Sequence, residues 1–497
     1  MSKNIIICSD GTGNTAIKDR GTNVFKLFEA VDLNGHRADP KLTPQVALYD
    51  DGVGTESFLP LKLLGGAFGW GLKRNVLDLY TGLVRIYDPG DRIYLFGFSR
   101  GAFTVRTLAG LIAKCGILNW ELTATTDAMT KAVAAAYSTY RRGYRTWLWR
   151  VLHAKSEQDV RGSSTAAMAN FKAERRAFDA EICFMGVWDT VDAVGGPFHI
   201  SDIINTLIYR FKFPDHKLSD KVRCAVQALS IDDARAAFEP LLWEGQSNVD
   251  QVWFAGVHSN VGGGYPKQGV SLVTLDWILQ KAATNGLRIL PDDRQRYWEH
   301  GSVDDKLYDS RAGLGVFYRW KPRNMHALSE GHKAGTPKVH LSVLERIAHG
   351  TEGYAPGTLA PHVHVVYTPS GDPNQDLATE VRTKAVSTAL TLAFTERGAD
   401  LKQVRGTLAV GLIAYYVYVA SCLAVILAAS LLAAERRFTV SVLLETLLAG
   451  FAVSAALAYY VDHARSRVFS RFWHQSRHEL REALQAARKA LRAAAGE

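Results

Sequence analysis

The feature that most constrains this chain is an alternation. Through the first 270 residues, short apolar runs that end in glycine or aspartate take turns with segments of helical spacing. The runs are "NIIICSD", "QVALYDDGVGT", "DRIYLFGF", "EICFMGVWDTV" and "VDQVWFAGVHSN". Between them, "NVLDLYTGLVRIY" places Val76, Leu79, Leu83 and Ile86 near one face, and "GAFTVRTLAGLIAKCG" reads as a second helix. Runs this short and this apolar are buried on both faces. That predicts a mostly parallel sheet covered by helices, an α/β fold. An apolar content of 47% over 497 residues supplies the core.

The rest of the chain divides by composition. The sheet-forming unit is expected over residues 1–400. It carries a helical insertion at about 119–180, which is either a cap over a site or one more packing helix. Residues 300–370 read as irregular, with "HVHVVYTPS" closing a sheet edge. Beyond them, "GTLAVGLIAYYVYVASCLAVILAASLLAA" and "FTVSVLLETLLAGFAVSAALAYYV" are each long enough to cross a bilayer, which takes about 20 apolar residues. They predict a C-terminal two-helix transmembrane hairpin over 401–463, with helices at about 406–434 and 438–461. Residues 464–497 predict a basic amphipathic helix that lies on anionic lipid or packs against the domain. Basic residues flanking the hairpin place both flanks inside, so the expected location is a multi-pass membrane protein of a bacterial inner membrane with a cytoplasmic catalytic domain. The start, "MSKNIIICSDG", has too short an apolar run for a signal peptide.

Charge and cysteines exclude several classes. The net charge of +9 is scattered and matches no nucleic-acid-binding signature. Cys8, Cys115, Cys183, Cys224 and Cys422 form no CxxC pair, which speaks against a structural zinc site or a disulfide framework. No cofactor is called for.

The chemistry concentrates at "GFSRGAF". Gly97-Phe98-Ser99-Arg100-Gly101 follows an apolar strand and opens a helix, the context in which G-x-S-x-G carries a nucleophile on a sharp turn. Ser99 is the expected nucleophile. The N–H of Arg100 is the first expected donor to an oxyanion. A second would come from the Gly11–Thr12 turn of "SDGTGN", where Gly11 and Gly13 allow close backbone approach and Asp10 orders the loop or touches substrate. The base is expected at His258, at a strand end entering "HSNVGGGYP", with His199 and His340 as rivals. Asp189, or Asp192 three residues on, would orient it. Asp232 and Asp233 read as helix caps.

Five stretches together resemble a known family: "CSDGTGN", "TNVFKLFEAV", "IYLFGFSRGAFTVRTLAGLIAKCGIL", "FMGVWDTVDAVG" and "VWFAGVHSNVGGGYP". It is the uncharacterised α/β-hydrolase domain family that includes the phospholipase effectors of type VI secretion. The resemblance covers about residues 3–270. It implies an α/β-hydrolase-like fold and a Ser–Asp–His triad, carried here by Ser99, Asp189 and His258. It also implies a lipid or other acyl-ester substrate.

The expected function is therefore a membrane-anchored serine hydrolase that cleaves carboxylic esters, of phospholipid or other lipid, through an acyl-serine. Its partners would be that substrate and membrane lipids, with no nucleic acid and no protein partner specified. One alternative is a non-catalytic membrane-tethered binding module. Another is a metal-dependent phosphoesterase built on Asp10, Asp50, Asp51 and His258.

Overall fold

The structure is a computed structural model that describes residues 2–11, 21–52, 66–123, 125–144, 153, 156–192, 216–312, 318, 320–359, 362–397 and 440–495, with scattered positions between 406 and 430. Eight strands form one parallel sheet: β1 (Asn4–Ser9), β2 (Gln45–Asp50), β3 (Arg92–Phe98), β4 (Ile182–Trp188), β5 (Ala225–Ser230), β6 (Val249–Phe254), β7 (Lys338–His340) and β8 (His364–Val366). Their spatial order is β2-β1-β3-β4-β5-β6-β7-β8. The order reverses between β1 and β3, and the crevice beyond the carboxyl ends of such a pair is where open α/β sheets gather ligands.

The helices are α1 (Asn23–Ala30), α2 (Gly35–Ala38), α3 (Gly66–Ile86), α4 (Arg100–Cys115), α5 (Thr126–Arg141), α6 (Glu157–Glu174), α7 (His258–Gly262), α8 (Gly269–Thr284), α9 (Pro291–His300), α10 (Met325–Gly331), α11 (Leu341–His349), α12 (Pro373–Glu396) and α13 (Val440–Ala495). Strand side chains alternate between faces. Ile5, Ile7, Ile93, Leu95, Met185 and Val187 therefore join a core with α3, α4 and α5. Ile6, Cys8, Tyr94, Phe96, Phe184 and Val252 join another with α1 and α8. The insertion contributes to the first core: Met129, Val133, Ala136 and Tyr140 of α5 are buried there, with Met168 and Phe171 of α6.

Two strands lie where the sequence reading put none. "AVQALS" becomes β5, whose central Gln227 is buried and bonded to Thr190, Leu241 and Gln251. A polar residue amid a short run hides a strand whose sheet neighbours satisfy it. Within the region read as irregular, β7 has only three residues, and β8 from "HVHVVYTPS" forms the sheet edge.

The C-terminal expectation requires correction. Among the described residues, no helix is long and apolar enough to cross a membrane, so the two-helix transmembrane hairpin is not supported. Most of 406–434 lies outside the described residues. The run at 438–461 is not a helix of its own. It opens α13, which continues unbroken for 56 residues into the charged tail. No glycine or proline stands between Phe451 and Ala495 to end it. The membrane anchor, the multi-pass location and the cytoplasmic, inner-membrane placement derived from the hairpin are withdrawn with it.

The tail of α13 is docked on the domain. Phe472, Trp473, Leu480 and Leu484 are buried in a third core with α11 and α12. Trp473 donates from Nε1 to the Pro356 carbonyl at 2.7 Å and meets Phe394 edge-on. Arg477 and Arg481 reach backbone carbonyls of Gly353, Tyr354 and Ala348. Trp473→Ala is expected to cost about 3–5 kcal/mol of stability, as for other buried tryptophans. Chemical denaturation checks this, and a loss below about 1 kcal/mol, the range of surface changes, would mean that the tail is not part of the core.

Candidate active site

Because the sheet is parallel and in register, the ends of β3, β4, β5 and β6 lie side by side. Phe98 pairs with Trp188, Trp188 with Ala228, and Ser230 with Phe254. Ser99 is the residue after β3 and Asp189 the residue after β4. His258 follows β6 by four and opens α7.

Ser99 sits at φ 59° and ψ −122°, a left-side conformation that a non-glycine residue rarely takes. It occupies the cap position of α4, yet its hydroxyl caps nothing. The flanking glycines are required by contact. A Cβ on Gly97 would lie 2.7 Å from the Ala102 nitrogen, and one on Gly101 would lie 2.1 Å from the Ser9 carbonyl oxygen. The turn is thus pressed between its own helix and the end of β1.

The Ser99 hydroxyl reaches His258 Nε2 at 2.8 Å, and His258 Nδ1 reaches Asp189 Oδ2 at 2.5 Å. An ionised carboxylate only accepts, so Nδ1 carries the hydrogen and Nε2 is left as the acceptor for the serine proton. All three side chains are buried. Phe98, at 4.6 Å between centroids, and Phe238, edge-on at 4.9 Å, hold the imidazole between them. Burial pushes the His258 proton affinity below that of an ordinary histidine, against the pull of Asp189. Burial would raise the Asp189 carboxyl, but Arg323 and then the bond from His258 hold it well below the usual carboxylate range. Asp189 too has positive φ, 43°.

The structure brings Ser99, His258 and Asp189 together. The carboxylate on the imidazole is that of Asp189, not Asp192. His340 bonds Ser342 and Thr368, caps α11 and stacks on Phe254, and burial pushes it down to about 3. His199 and Thr12 lie outside the described residues. Arg100 begins α4, where first-turn N–H groups lack partners within the helix. Its guanidinium is pushed down to about 10 by burial.

Asp10 is turned into its own loop. Oδ1 accepts from the Gly11 N–H at 2.6 Å, and Oδ2 accepts from Thr22 at 2.5 Å and Tyr49 at 2.7 Å. Thr22 in turn caps α1. Asp50 accepts from Ser9 and Asn75. Among the described residues no group of three or more His, Cys, Asp or Glu side chains converges as metal ligands. The donor sets of Asp10 and Asp50 are protein hydroxyls, amides and N–H groups.

Three residues at the site have roles that the sequence reading did not give them. Asp232 and Asp233 do not cap a helix. Asp232 Oδ2 accepts from the Gly256 N–H at 2.6 Å and from Tyr354, and Asp233 Oδ2 accepts from the His258 N–H at 3.2 Å. Together they hold the backbone that presents the histidine. Arg323, from "KPRN", grips Asp189 with two bonds of 2.6 and 2.8 Å. Nothing in the local sequence marks it, because it meets Asp189 across 134 residues.

The family model described as "T6SS, Phospholipase effector Tle1-like, catalytic domain" matches residues 3–281. An uncharacterized protein of Saccharomyces cerevisiae is 28% identical over 252 residues, which are 48% of this chain and 32% of that protein; the match thus takes in less than two thirds of the relative's length. Two solved structures are also similar. One is the Tle1 effector bound to the VgrG spike of the type 6 secretion system, at 14% identity and TM-score 0.34, covering 68% of this chain and 81% of that one. The other is an uncharacterized protein from Pseudomonas aeruginosa, at 18% identity and TM-score 0.34, covering 81% and 62%. Likeness at that level says nothing about the activity of this chain. The family match spans more than half of the 497 residues and includes the strands that bear Ser99, Asp189 and His258, and on that ground the chain belongs to the type VI secretion Tle1-like phospholipase effector catalytic domain family.

Proposed function

We propose that this chain is a serine hydrolase that cleaves the carboxylic esters of lipids through an acyl-serine intermediate. Its family supports a hydrolase of the esterase type acting on lipid or acyl substrates in general terms. The observation that carries the finer reading is the unbroken bonded line Ser99–His258–Asp189 at 2.8 and 2.5 Å, beginning at a strained strand-to-helix turn.

In the proposed reaction, His258 Nε2 takes the Ser99 proton as Oγ attacks the ester carbonyl. The N–H of Arg100 donates to the developing oxyanion. The loop after β1 is the proposed source of a second donor. The Gly11 N–H there is engaged by Asp10, so it serves only if it leaves that carboxylate. The imidazolium returns its proton to the leaving alcohol, and Asp189 holds the ring in place and balances its charge. Water activated by the same nitrogen then releases the acid.

Fatty-acid release from phospholipid in mixed detergent micelles, beside hydrolysis of p-nitrophenyl butyrate, tests the substrate class. Both are expected, and both vanish in the Ser99→Ala variant. Cleavage of the small ester with no fatty acid released would overturn the lipid assignment while keeping the serine hydrolase.

A further inference from the structure

The acid of the line is not held as a lone carboxylate. Arg323 meets the same Asp189 carboxylate that receives His258 Nδ1, from the segment just before α10 and beyond the residues matched by the family. Its two terminal nitrogens take one Asp189 oxygen each, and the same nitrogens donate to the Ser230 and Phe238 carbonyls. Arg323 is 1% exposed and Asp189 is fully buried. A planar fork matched to a carboxylate fixes its rotation as well as its position. Asp189 needs such fixing, since its backbone is at positive φ and one of its oxygens must point at Nδ1.

The fork also changes the charge that the imidazole meets. The end of β4 brings Asp189. The β5–β6 connection brings Asp233, whose carboxylate is paired with Arg235. The segment before α10 brings Arg323, and Glu239 lies further out, facing Arg323. Tyr265, on the loop after α7, faces Arg235 and Asp233. With the imidazole neutral, the carboxylates of Asp189 and Asp233 balance the guanidiniums of Arg323 and Arg235, while Asp232 next to them, pushed up to about 6 by burial, faces Arg346 as well as Arg323. A proton on the imidazole makes the buried set cationic.

We propose that Arg323 is a positioning residue that clamps Asp189 and keeps His258 in the neutral, proton-accepting form. This rests on the serine-hydrolase reading above. The charge argument has a definite sign. Removing the guanidinium leaves a net negative set, so the proton shared by Asp189 and His258 is bound more tightly. The base then fills with a proton at higher pH and stops working there. A side chain that only filled space would leave the pH profile where it was.

The experiment follows the second-order rate of Ser99 labelling by a fluorophosphonate against pH, in the intact chain and in Arg323→Met and Arg323→Lys. In the intact chain the acid limb is expected below about 6.5, the value of an ordinary histidine. In Arg323→Met the limb is expected to move up by about one pH unit, the size of shift a lost neighbouring charge brings. Its plateau should fall roughly ten- to a hundredfold through misplacement of the ring. Arg323→Lys keeps the charge without the fork, so its limb should stay near that of the intact chain while its plateau falls. A folded Arg323→Met variant with limb and plateau both unmoved would overturn the proposal. Labelling that survives Ser99→Ala would instead overturn the hydrolase reading, and so separates the two failures.

Discussion

Replacing Ser99 by alanine is expected to abolish fluorophosphonate labelling and to lower ester turnover by about four to six powers of ten, the loss seen when a triad nucleophile is removed. The serine is the only member of the line that bonds to substrate, and the imidazole behind it has no other nucleophile to activate except water. Its position predicts a second effect of opposite sign. Ser99 is held at φ 59°, and its hydroxyl caps nothing. Strain of this kind costs on the order of 1–3 kcal/mol, and glycine does not feel it. Ser99→Gly is therefore expected to be as dead as Ser99→Ala yet more stable than Ser99→Ala by about 1 kcal/mol: both lose the bond to His258, and glycine's greater chain entropy offsets part of the relief. Mass spectrometry of the labelled peptide and a denaturation curve measure the two effects on the same samples. Residual labelling at another serine in Ser99→Ala would sink the nucleophile assignment. A Ser99→Gly variant less stable than Ser99→Ala would show that the turn is unstrained.

Much of this site was legible because its parts sit at strand ends. An apolar run that stops at a glycine or an aspartate marks the carboxyl edge of a parallel strand, and that edge is where Ser99, Asp189 and His258 stand. Gly97 and Gly101 were legible for a steric reason that the contacts with Ala102 and Ser9 bear out. What stayed hidden depends on distant partners. Gln227 reads as a break in a run until Thr190 and Gln251 are placed beside it. Asp232 and Asp233 have the local look of a cap, and only the arrival of Gly256 and His258 from the next strand gives their carboxylates other donors. Arg323 sits in a stretch with no periodicity, so its pairing is a property of the closed fold. The C-terminal segment misled in the other direction. Apolar length alone suggested two spanning helices, whereas the second run continues as one helix into a tail packed by Trp473 and Leu480.

Asp189 is where activity and stability meet. Asp189→Asn keeps the shape and suits the positive φ, but an amide can donate to the imidazole and so favours the tautomer with hydrogen on Nε2. Turnover is expected to fall about 10⁴-fold, as it does when the triad acid is amidated elsewhere. The same change leaves Arg323, 1% exposed, facing a neutral group. Breaking one side of a buried pair costs about 3–5 kcal/mol, mostly the penalty of the orphaned charge. The two losses come apart in a double variant. Asp189→Asn combined with Arg323→Met removes the orphan and should regain most of the stability while staying inactive, a coupling between neighbours that single changes do not reveal. The sign with pH follows from the depressed Asp189 carboxyl. Its contribution is present above the ordinary carboxylate range and drains away as pH falls below it, so the gap in stability between parent and Asp189→Asn should narrow in acid. Denaturation curves at neutral and acid pH on the parent, both single variants and the double variant measure this. If the double variant is no more stable than Asp189→Asn, the guanidinium is satisfied by the Ser230 and Phe238 carbonyls alone, and the pair acts on the geometry of the histidine rather than on the stability of the fold.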